Sequence, residues 1–293
     1  MNMAVTTSIV IAVKGDDRNL PGILQALESS RDHGAELIFV VAGTMRDAFA
    51  DLPSRARIVT ASDNALVPCL WRDGIRAASA RRVALLTSEC IPASDWLARV
   101  AATDIERWAG IGGMLVNDKA SDTRNWAVYL LRYLRFAPPA PGGIIDDIAA
   151  DNAVYDRDAV LRHPDLMDEG FWEPSFHARF HASGRELLFD PQLLVTHSGT
   201  NKASVFVRHR FAHGREYGQS RGSRVGTGKN LVLLLASPLL PILMLCRISA
   251  RAATSKLVFP LLKSFPFLTL FVLAWAAGEG SGYLSALFGR SKK

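Results

Sequence analysis

The feature that most constrains this chain is a pair of short apolar runs on either side of a segment with helical spacing. Ser8–Val13 (SIVIAV) and Glu36–Val41 (ELIFVV) are rich in β-branched residues and too short for helices, which is typical of parallel strands buried on both faces. The segment between them repeats its apolar residues at helical intervals: Leu20, Ile23, Leu24 and Leu27. The order predicts a right-handed βαβ unit, so the chain begins with a parallel sheet.

The same alternation continues beyond this unit. Arg57–Thr60 predicts a strand, Leu66–Ala78 a helix and Val83–Leu86 a further strand. This N-terminal part is therefore expected to be a doubly wound, nucleotide-binding α/β half. The sequence contains neither GxGxxG nor GxxxxGKS, so a dinucleotide-binding fold and a P-loop are not supported.

The following segments extend the α/β pattern to about residue 200. Helices are predicted over Trp96–Trp108, Asn125–Phe136, Arg157–Leu161 and a segment carrying Phe176 and Phe180, and strands over Gly110–Val116, Ala149–Tyr155, Leu187–Phe189 and Leu193–Val195. The glycines of GIGGMLV indicate a close backbone approach in that strand. The predicted fold class is a Rossmann-like mixed sheet flanked by helices.

A small polar cluster follows the strand Val83–Leu86, namely Thr87-Ser88-Glu89. Ligands of open α/β sheets bind at the carboxyl ends of the strands, so we look for a site at this cluster. Glu89 is its one carboxylate.

The charge of the chain is concentrated before its apolar C-terminal region. The net charge is +6, and basic residues crowd the segment just before residue 230: Arg208, Arg210, Arg215, Arg221, Arg224 and Lys229. A basic segment beside apolar runs favours anionic lipid headgroups over nucleic acid as the partner. The alternative is a solvated basic loop. The three cysteines lie far apart with no metal or disulfide spacing, which fits a reducing compartment.

Two long apolar runs, Leu231–Cys246 and Leu257–Gly278, predict membrane attachment. Both contain prolines, and the second contains Lys263, so in-plane helices or a shallow hairpin compete with two spans. A buried helical hairpin in a homo-oligomer is the soluble alternative. The N-terminus lacks a basic region followed by a signal-length apolar run, so we expect the preceding domain to be cytoplasmic and the protein to lie at the cell membrane.

Several segments together resemble membrane-associated family-2 glycosyltransferases of the GT-A fold, in the order of that family. The matching segments are SIVIAVKGDDRNLPGILQAL, ELIFVVAGT, RDGIRAASARRVALLTSECIPASDWL, IGGMLV, ADNAVYDRDAVL, FWEPSFHARFHASG, LLVTH, RFAHGREYG and AWAAGEGSGYL. The resemblance implies a glycosyltransferase domain over residues 1–200, a basic juxtamembrane segment over 201–229 and membrane-associated helices over 230–293.

The resemblance also implies site residues. Thr87-Ser88-Glu89 matches the metal-binding Asp-x-Asp with only its last carboxylate, and His197 matches a further metal ligand. Glu89 and His197 are therefore expected to hold Mg²⁺ or Mn²⁺. Glu173 matches the catalytic base and Trp172 the Glu before it, with Asp168 and Glu169 as rivals. Positions expected to bind substrate are Val13, Lys14, Gly15, Gly43, Asp151, Asn152, Trp172, His213 and Arg215.

The chain also departs from the family pattern. Ala42 and Gly43 stand where the family places an Asp that contacts the nucleotide base. The cations of His209, His213 and Arg215 are an alternative to a metal for neutralising the diphosphate. The alternatives without a catalytic or binding role are a solvated carboxylate at Glu89 or Glu173, and structural roles for the other matched residues.

The expected activity is inverting transfer of a sugar from a nucleotide-sugar to a lipid-linked or growing glycan acceptor, in polysaccharide or cell-envelope synthesis. The alternative is a catalytically weak GT-A-like subunit that binds or scaffolds partners in a glycan assembly complex. The triplet Thr87-Ser88-Glu89, which lacks the first carboxylate, favours the alternative, whereas Glu173 and His197 favour the enzyme.

Overall fold

A computed structural model describes residues 5–13, 18–28, 34–44, 49, 52, 56–199 and 202–290. The chain forms two compact units: Met1–Asp118 with Phe136–Thr200, and Lys119–Arg135 with Asn201–Lys293. The segment Lys119–Arg135 clusters with the C-terminal helices.

The first unit is built on a single mixed sheet. Its strands are β1 (Thr7–Val13), β2 (Ala35–Ala42), β3 (Ala56–Ala61), β4 (Arg82–Thr87), β5 (Cys90–Pro92), β6 (Gly110–Asn117), β7 (Gly143–Ile145), β8 (Asn152–Asp156) and β9 (Leu187–His197). Their order is β3-β2-β1-β4-β8-β6-β9-β5, and β7 pairs with β9. The strands β3, β2, β1 and β4 are mutually parallel, whereas β8 runs antiparallel to β4 and β6. This confirms the predicted mixed α/β sheet.

Helices of the first unit flank this sheet: α1 (Leu20–Ala26), α2 (Val67–Ala77), α3 (Trp96–Ala101), α5 (Arg157–Leu161), α6 (Pro164–Glu169) and α7 (Glu173–Ala182). The β-branched strands predicted from sequence are buried as expected, with Ile9, Ile38 and Leu85 fully inaccessible to solvent. Helix α2 packs against the sheet through the buried side chain of Trp71. The Trp71 indole donates a hydrogen bond to the Leu86 carbonyl at 3.0 Å.

Three element predictions were wrong. The helix predicted over Trp96–Trp108 ends at Ala101, because Asp104 accepts hydrogen bonds from the next backbone amides and forms a turn. The strand predicted from Ala149 begins at Asn152. The two strands predicted around Asp190-Pro191-Gln192 are one strand, β9, in which these residues form an irregularity opposite Gly113 and Met114.

The close approach predicted for the glycines of β6 is present at this irregularity. A Cβ atom on Gly113 would lie 2.0 Å from the Leu193 carbonyl oxygen and 2.4 Å from Nδ2 of Asn152. No other residue type fits there without displacing the backbone of β9.

The second unit is helical: α4 (Thr123–Arg132), α8 (Ala203–Arg224), α9 (Thr227–Ala236), α10 (Leu240–Thr254) and α11 (Val258–Arg290). Most of the basic segment, for which a solvated loop was one expectation, forms the 22-residue helix α8, and Lys229 lies on α9. Two glycines of α8, Gly214 and Gly218, pack against the backbone of α11. A Cβ on Gly218 would lie 2.3 Å from the Glu279 carbonyl oxygen, and one on Gly278 would lie 2.1 Å from that of Phe211.

The C-terminal helices are long and apolar enough to cross a membrane. The candidate spans are Thr227–Thr254, with mean hydropathy 2.3, and Val258–Gly289, with mean hydropathy 1.7. Length and composition alone identify them. Pro266 lies inside α11.

Candidate functional site

The candidate site lies where the parallel strands of the first unit reach their carboxyl ends. Strands β1, β2 and β4 end at Val13, Ala42 and Thr87, in register with one another. The Ser88 amide donates to the Ala12 carbonyl at 3.0 Å, which holds the predicted polar cluster against β1. The Val13 side chain is buried, so it faces the core, and Lys14 and Gly15 lie outside the described residues.

Glu89 and His197 are brought together by the pairing of β5 with β9. Cys90 lies opposite His197 in this ladder, and the Ser198 amide donates to the Glu89 carbonyl at 2.8 Å. Nε2 of His197 lies 3.9 Å from Oε2 of Glu89, with the imidazole fully buried and the carboxylate 11% exposed. The two side chains predicted to bind metal therefore face each other.

A second contact, made to Asn117, concerns which ring nitrogen of His197 carries the proton. Its Nδ1 lies 3.1 Å from Oδ1 of Asn117, the last residue of β6. With Oδ1 of Asn117 placed toward the ring, Nδ1 donates its proton to this oxygen, and the lone pair of that tautomer lies on Nε2. This tautomer directs the ring nitrogen that carries the lone pair toward Glu89.

The chemistry of this pair fits one divalent cation in part. Among the described residues, no group of three or more His, Cys, Asp or Glu side chains is arranged to hold a metal. Neighbouring ligands of an octahedral Mg²⁺ lie about 3 Å apart, so the separation of 3.9 Å would have to shorten for both side chains to bind one cation. The remaining positions would be filled by diphosphate oxygens and water.

Asp151 joins the end of β4 to the start of β8. Oγ1 of Thr87 donates to Oδ1 of Asp151 at 3.0 Å, and both side chains are buried. Thr87, the first residue of the triplet predicted to bind metal, thus contacts a carboxylate from elsewhere in the chain. Asp151 therefore lies beside the polar cluster, and its substrate-binding role stays a prediction.

The side chain of Asn152, which was predicted to bind substrate, forms hydrogen bonds within the protein. Its Nδ2 donates to the carbonyls of Met114 at 3.0 Å and Leu193 at 2.8 Å, and its Oδ1 accepts from the Trp96 indole at 2.8 Å. The side chain is fully buried. Both amide protons are used to join β6 and β9, so this side chain offers no donor to a ligand.

Glu173 is the first residue of α7, and its side chain contacts the backbone of Ala150, the residue before Asp151. Its Oε1 accepts a hydrogen bond from the Ala150 amide at 3.0 Å. The positive end of the helix dipole favours the ionised carboxylate. Trp172 precedes the helix as its N-cap and donates its indole proton to the Glu169 carbonyl.

The carboxylates of this region act together on Tyr155. Burial, the largest cause, and then the charges of Glu173, Asp147 and Asp151 raise the pKa of Tyr155 well above its ordinary value. Three acidic groups therefore act on one buried hydroxyl. The rival carboxylate of Asp168 instead pairs with Arg76 at 2.8 Å on an exposed surface.

Two side chains near the strand ends escaped the sequence interpretation. Nδ2 of Asn19 donates to the carbonyls of Ser88 at 3.0 Å and Ser198 at 2.8 Å, so it joins the ends of β4 and β9. Asp63, after β3, accepts from the Thr44 amide at 2.9 Å and lies against Gly43. The Asn-Leu-Pro helix start was a signal for Asn19, whereas no local signal identified Asp63.

His209, His213 and Arg215 lie on α8, in the second unit. The Arg215 side chain is exposed, while its carbonyl oxygen contacts α11 at Gly282. Their substrate-binding role stays a prediction.

Comparison with known proteins supports the fold. No family model matches the chain, and no curated protein matches it in sequence. One similar solved structure is the mannosyltransferase PcManGT from Pyrobaculum calidifontis in complex with GDP-Man and Mn²⁺, with 12% identity and a TM-score of 0.53. The match covers 98% of this chain and 88% of that chain. At this identity the likeness shows a glycosyltransferase-like fold, which agrees with the predicted class.

Proposed function

We propose that this protein is an inverting glycosyltransferase that moves a sugar from a nucleotide-sugar donor to a lipid-linked or growing glycan acceptor. The observation that carries the proposal is the joining of two features at one sheet edge. The Glu89–His197 pair follows β4, and Thr87 of the same strand contacts Asp151, beside the segment that holds Glu173. The bound GDP-Man and Mn²⁺ of the structural neighbour support a nucleotide-sugar as donor.

In the proposed reaction, Glu173 is the general base. Its carboxylate takes the proton of the acceptor hydroxyl while the oxygen bonds to the anomeric carbon of the donor sugar. The bond from that carbon to the diphosphate oxygen breaks, and the nucleoside diphosphate leaves with the electron pair. One displacement inverts the anomeric configuration.

Glu89 and His197 would hold a divalent cation, Mg²⁺ or Mn²⁺, beside the leaving group. When bound, it supplies positive charge to the diphosphate. Asn117 fixes the His197 tautomer, and Asn19 joins the two strand ends that carry the pair.

The test is sugar transfer and donor hydrolysis across a panel of nucleotide-sugars. We expect Glu173→Gln to lower turnover by about 10²–10⁴-fold, because it removes a general base without changing the shape of the side chain. Glu169→Gln examines the rival, and Glu186→Gln, an exposed carboxylate, is the matched control. Wild-type turnover equal to that of Glu173→Gln would contradict a catalytic role.

A second function, a weakly active GT-A-like scaffold subunit, is favoured by one observation. The Glu89–His197 pair, which is proposed to bind metal, contains one carboxylate, and the described residues contain no cluster of three metal-ligand side chains. A wild-type protein that is inert on every donor yet retains partners through affinity purification from membranes would support this function.

Membrane attachment at the cytoplasmic face is part of the proposal. Its support is the pair of apolar helical segments Thr227–Thr254 and Val258–Gly289, preceded by the basic helix α8. Basic residues beside membrane helices favour the cytoplasmic, anionic leaflet. Homo-oligomer formation stays a prediction.

A further inference from the structure

Helix α7 contacts the segment before β8 through one stripe of polar side chains. The stripe consists of Glu173, His177 and His181, spaced four residues apart and therefore on one helix face. At its first turn, Glu173 accepts from the Ala150 amide at 3.0 Å. At its last turn, Nε2 of His181 donates to the Asp146 carbonyl at 2.8 Å.

His177, in the middle of the stripe, is held through both ring nitrogens. Nδ1 pairs with the Asp147 carboxylate, and Nε2 lies 2.9 Å from the Tyr155 hydroxyl. A carboxylate only accepts, so Nδ1 carries the proton. In the tautomer with this single ring proton, Nε2 accepts a hydrogen bond from the Tyr155 hydroxyl. The imidazole is 2% exposed, so its contact with Tyr155 is buried, whereas Asp147 is 38% exposed and the contact with it is partly buried.

Tyr155 stays the donor in this chain of contacts. Burial and the surrounding carboxylates raise its pKa, so the hydroxyl keeps its proton at neutral pH. The donor order therefore runs from Tyr155 to His177 to Asp147. Because Tyr155 belongs to β8, His177 joins α7 to the sheet as well as to the preceding segment.

We propose that His177 is a positioning residue for Glu173. By bridging Tyr155 and Asp147, it fixes the rotation of α7 that keeps the Glu173 carboxylate on the Ala150 amide. The inference rests on the proposed function, in which Glu173 is the base. A displacement of about 1 Å in a reacting group can cost about 10²-fold in rate, so loosening this bridge is expected to reduce turnover.

The kinetic test compares His177→Asn with His181→Asn. Asparagine at 177 can still reach Asp147 but is too short to reach Tyr155. We expect kcat to fall by about 10–100-fold in His177→Asn while the donor KM changes less than about two-fold. His181→Asn alters the turn farthest from Glu173, so its kcat should stay within about three-fold of wild type.

Tyr155→Phe tests the same bridge by removing a single oxygen, and keeps the test available if His177→Asn does not fold. If both residues act through one contact, the double variant should be no slower than His177→Asn alone. Additive losses in the double variant would overturn the proposed link.

A readout independent of activity is hydrogen–deuterium exchange of the peptide containing the Ala150 amide. We expect this amide to exchange about 10-fold faster in His177→Asn and at the wild-type rate in His181→Asn, with global stability little changed. Unchanged exchange and unchanged kcat in a folded His177→Asn would overturn the inference. Full activity in Glu173→Gln would instead refute the proposed function and leave the exchange result standing.

Discussion

At the scale of single residues, the candidate site is defined by contacts made across long stretches of chain. Glu89 meets His197, Thr87 meets Asp151, and Glu173 meets the Ala150 amide. Each contact joins a residue at a strand end or helix start to one that the sheet order brings beside it. The chemistry of the site therefore depends on the topology of the first unit.

The amide of Asn117 is expected to control cation binding by fixing the His197 tautomer. We predict that Asn117→Ala weakens Mn²⁺ affinity by about 10–100-fold, the usual cost of removing a hydrogen-bond partner of a metal-binding histidine. Isothermal titration with Mn²⁺ in the presence of nucleoside diphosphate measures it. Gln219→Ala, an exposed amide on α8, is the control, and equal affinities in both variants would contradict the prediction.

Asp156 gives a prediction on the pH dependence of stability. Burial alone raises its pKa, but the hydrogen bonds and charge of Arg81 and the amides at the start of α5 outweigh it, so the pKa is lowered. A lowered folded-state pKa adds stability above the unfolded value of about 3.9, which is lost as pH falls through the folded pKa.

Asp156→Asn should therefore lower the melting temperature near pH 7 by a few degrees, with the difference shrinking below about pH 4. Asp158→Asn, an exposed neighbour, is the control. Thermal unfolding across pH measures both, and a difference that grows on acidification would contradict the assignment.

Sequence reasoning predicted that Glu89 and His197 lie together, and the structure brings them together, whereas the roles of the candidate residues stay predictions. Glu89, His197 and Glu173 were identified from strand ends, a helix start and a family resemblance. The structural use of Asn152 was not predictable, because its three partners, Trp96, Met114 and Leu193, come from separate elements. The residues near an asparagine in the sequence do not show which carbonyl groups its side-chain amide will contact in the fold.

At the scale of elements, the buried strands were predictable because they are continuous runs of β-branched residues. The irregularity in β9 was not, because Asp190-Pro191-Gln192 also reads as a break between strands. Helix α8 was interpreted from its charges, yet its spacing of Gly214, Gly218 and Gly222 was a signal for close helix packing.

The contact between α8 and α11 gives a prediction with a control in the same helix. Gly278→Ala places a Cβ 2.1 Å from the Phe211 carbonyl oxygen, so we expect about 1–3 kcal/mol of destabilisation. At Gly289 no described atom lies within 4 Å of the added Cβ, so Gly289→Ala should be neutral or slightly stabilising. Unfolding in detergent measures both, and equal effects would contradict the packing.

At the scale of the whole molecule, the chain combines an α/β unit with a helical unit of very different hydropathy. The fold class was predictable because the strand–helix alternation and the apolar runs are separate in sequence. The grouping of Lys119–Arg135 with the C-terminal helices was not, because it depends on packing between distant segments.

Membrane attachment is the prediction that belongs to this scale. Because most of the surface of the candidate spans would contact lipid, carbonate and high salt should leave the protein in the membrane pellet, and detergent should release it. Fractionation of the full chain beside a known peripheral protein measures this. Release by carbonate alone would contradict attachment through the apolar helices.

The most direct measurement of the central claim is donor binding at the sheet edge. Thermal shift of the full chain across a panel of nucleotide-sugars, with and without Mn²⁺, detects any ligand that binds the folded state. We predict that one donor class raises the melting temperature with Mn²⁺, and that Glu89→Gln removes the cation-dependent part of the shift. No shift with any nucleotide-sugar, or the full shift in Glu89→Gln, would contradict the account.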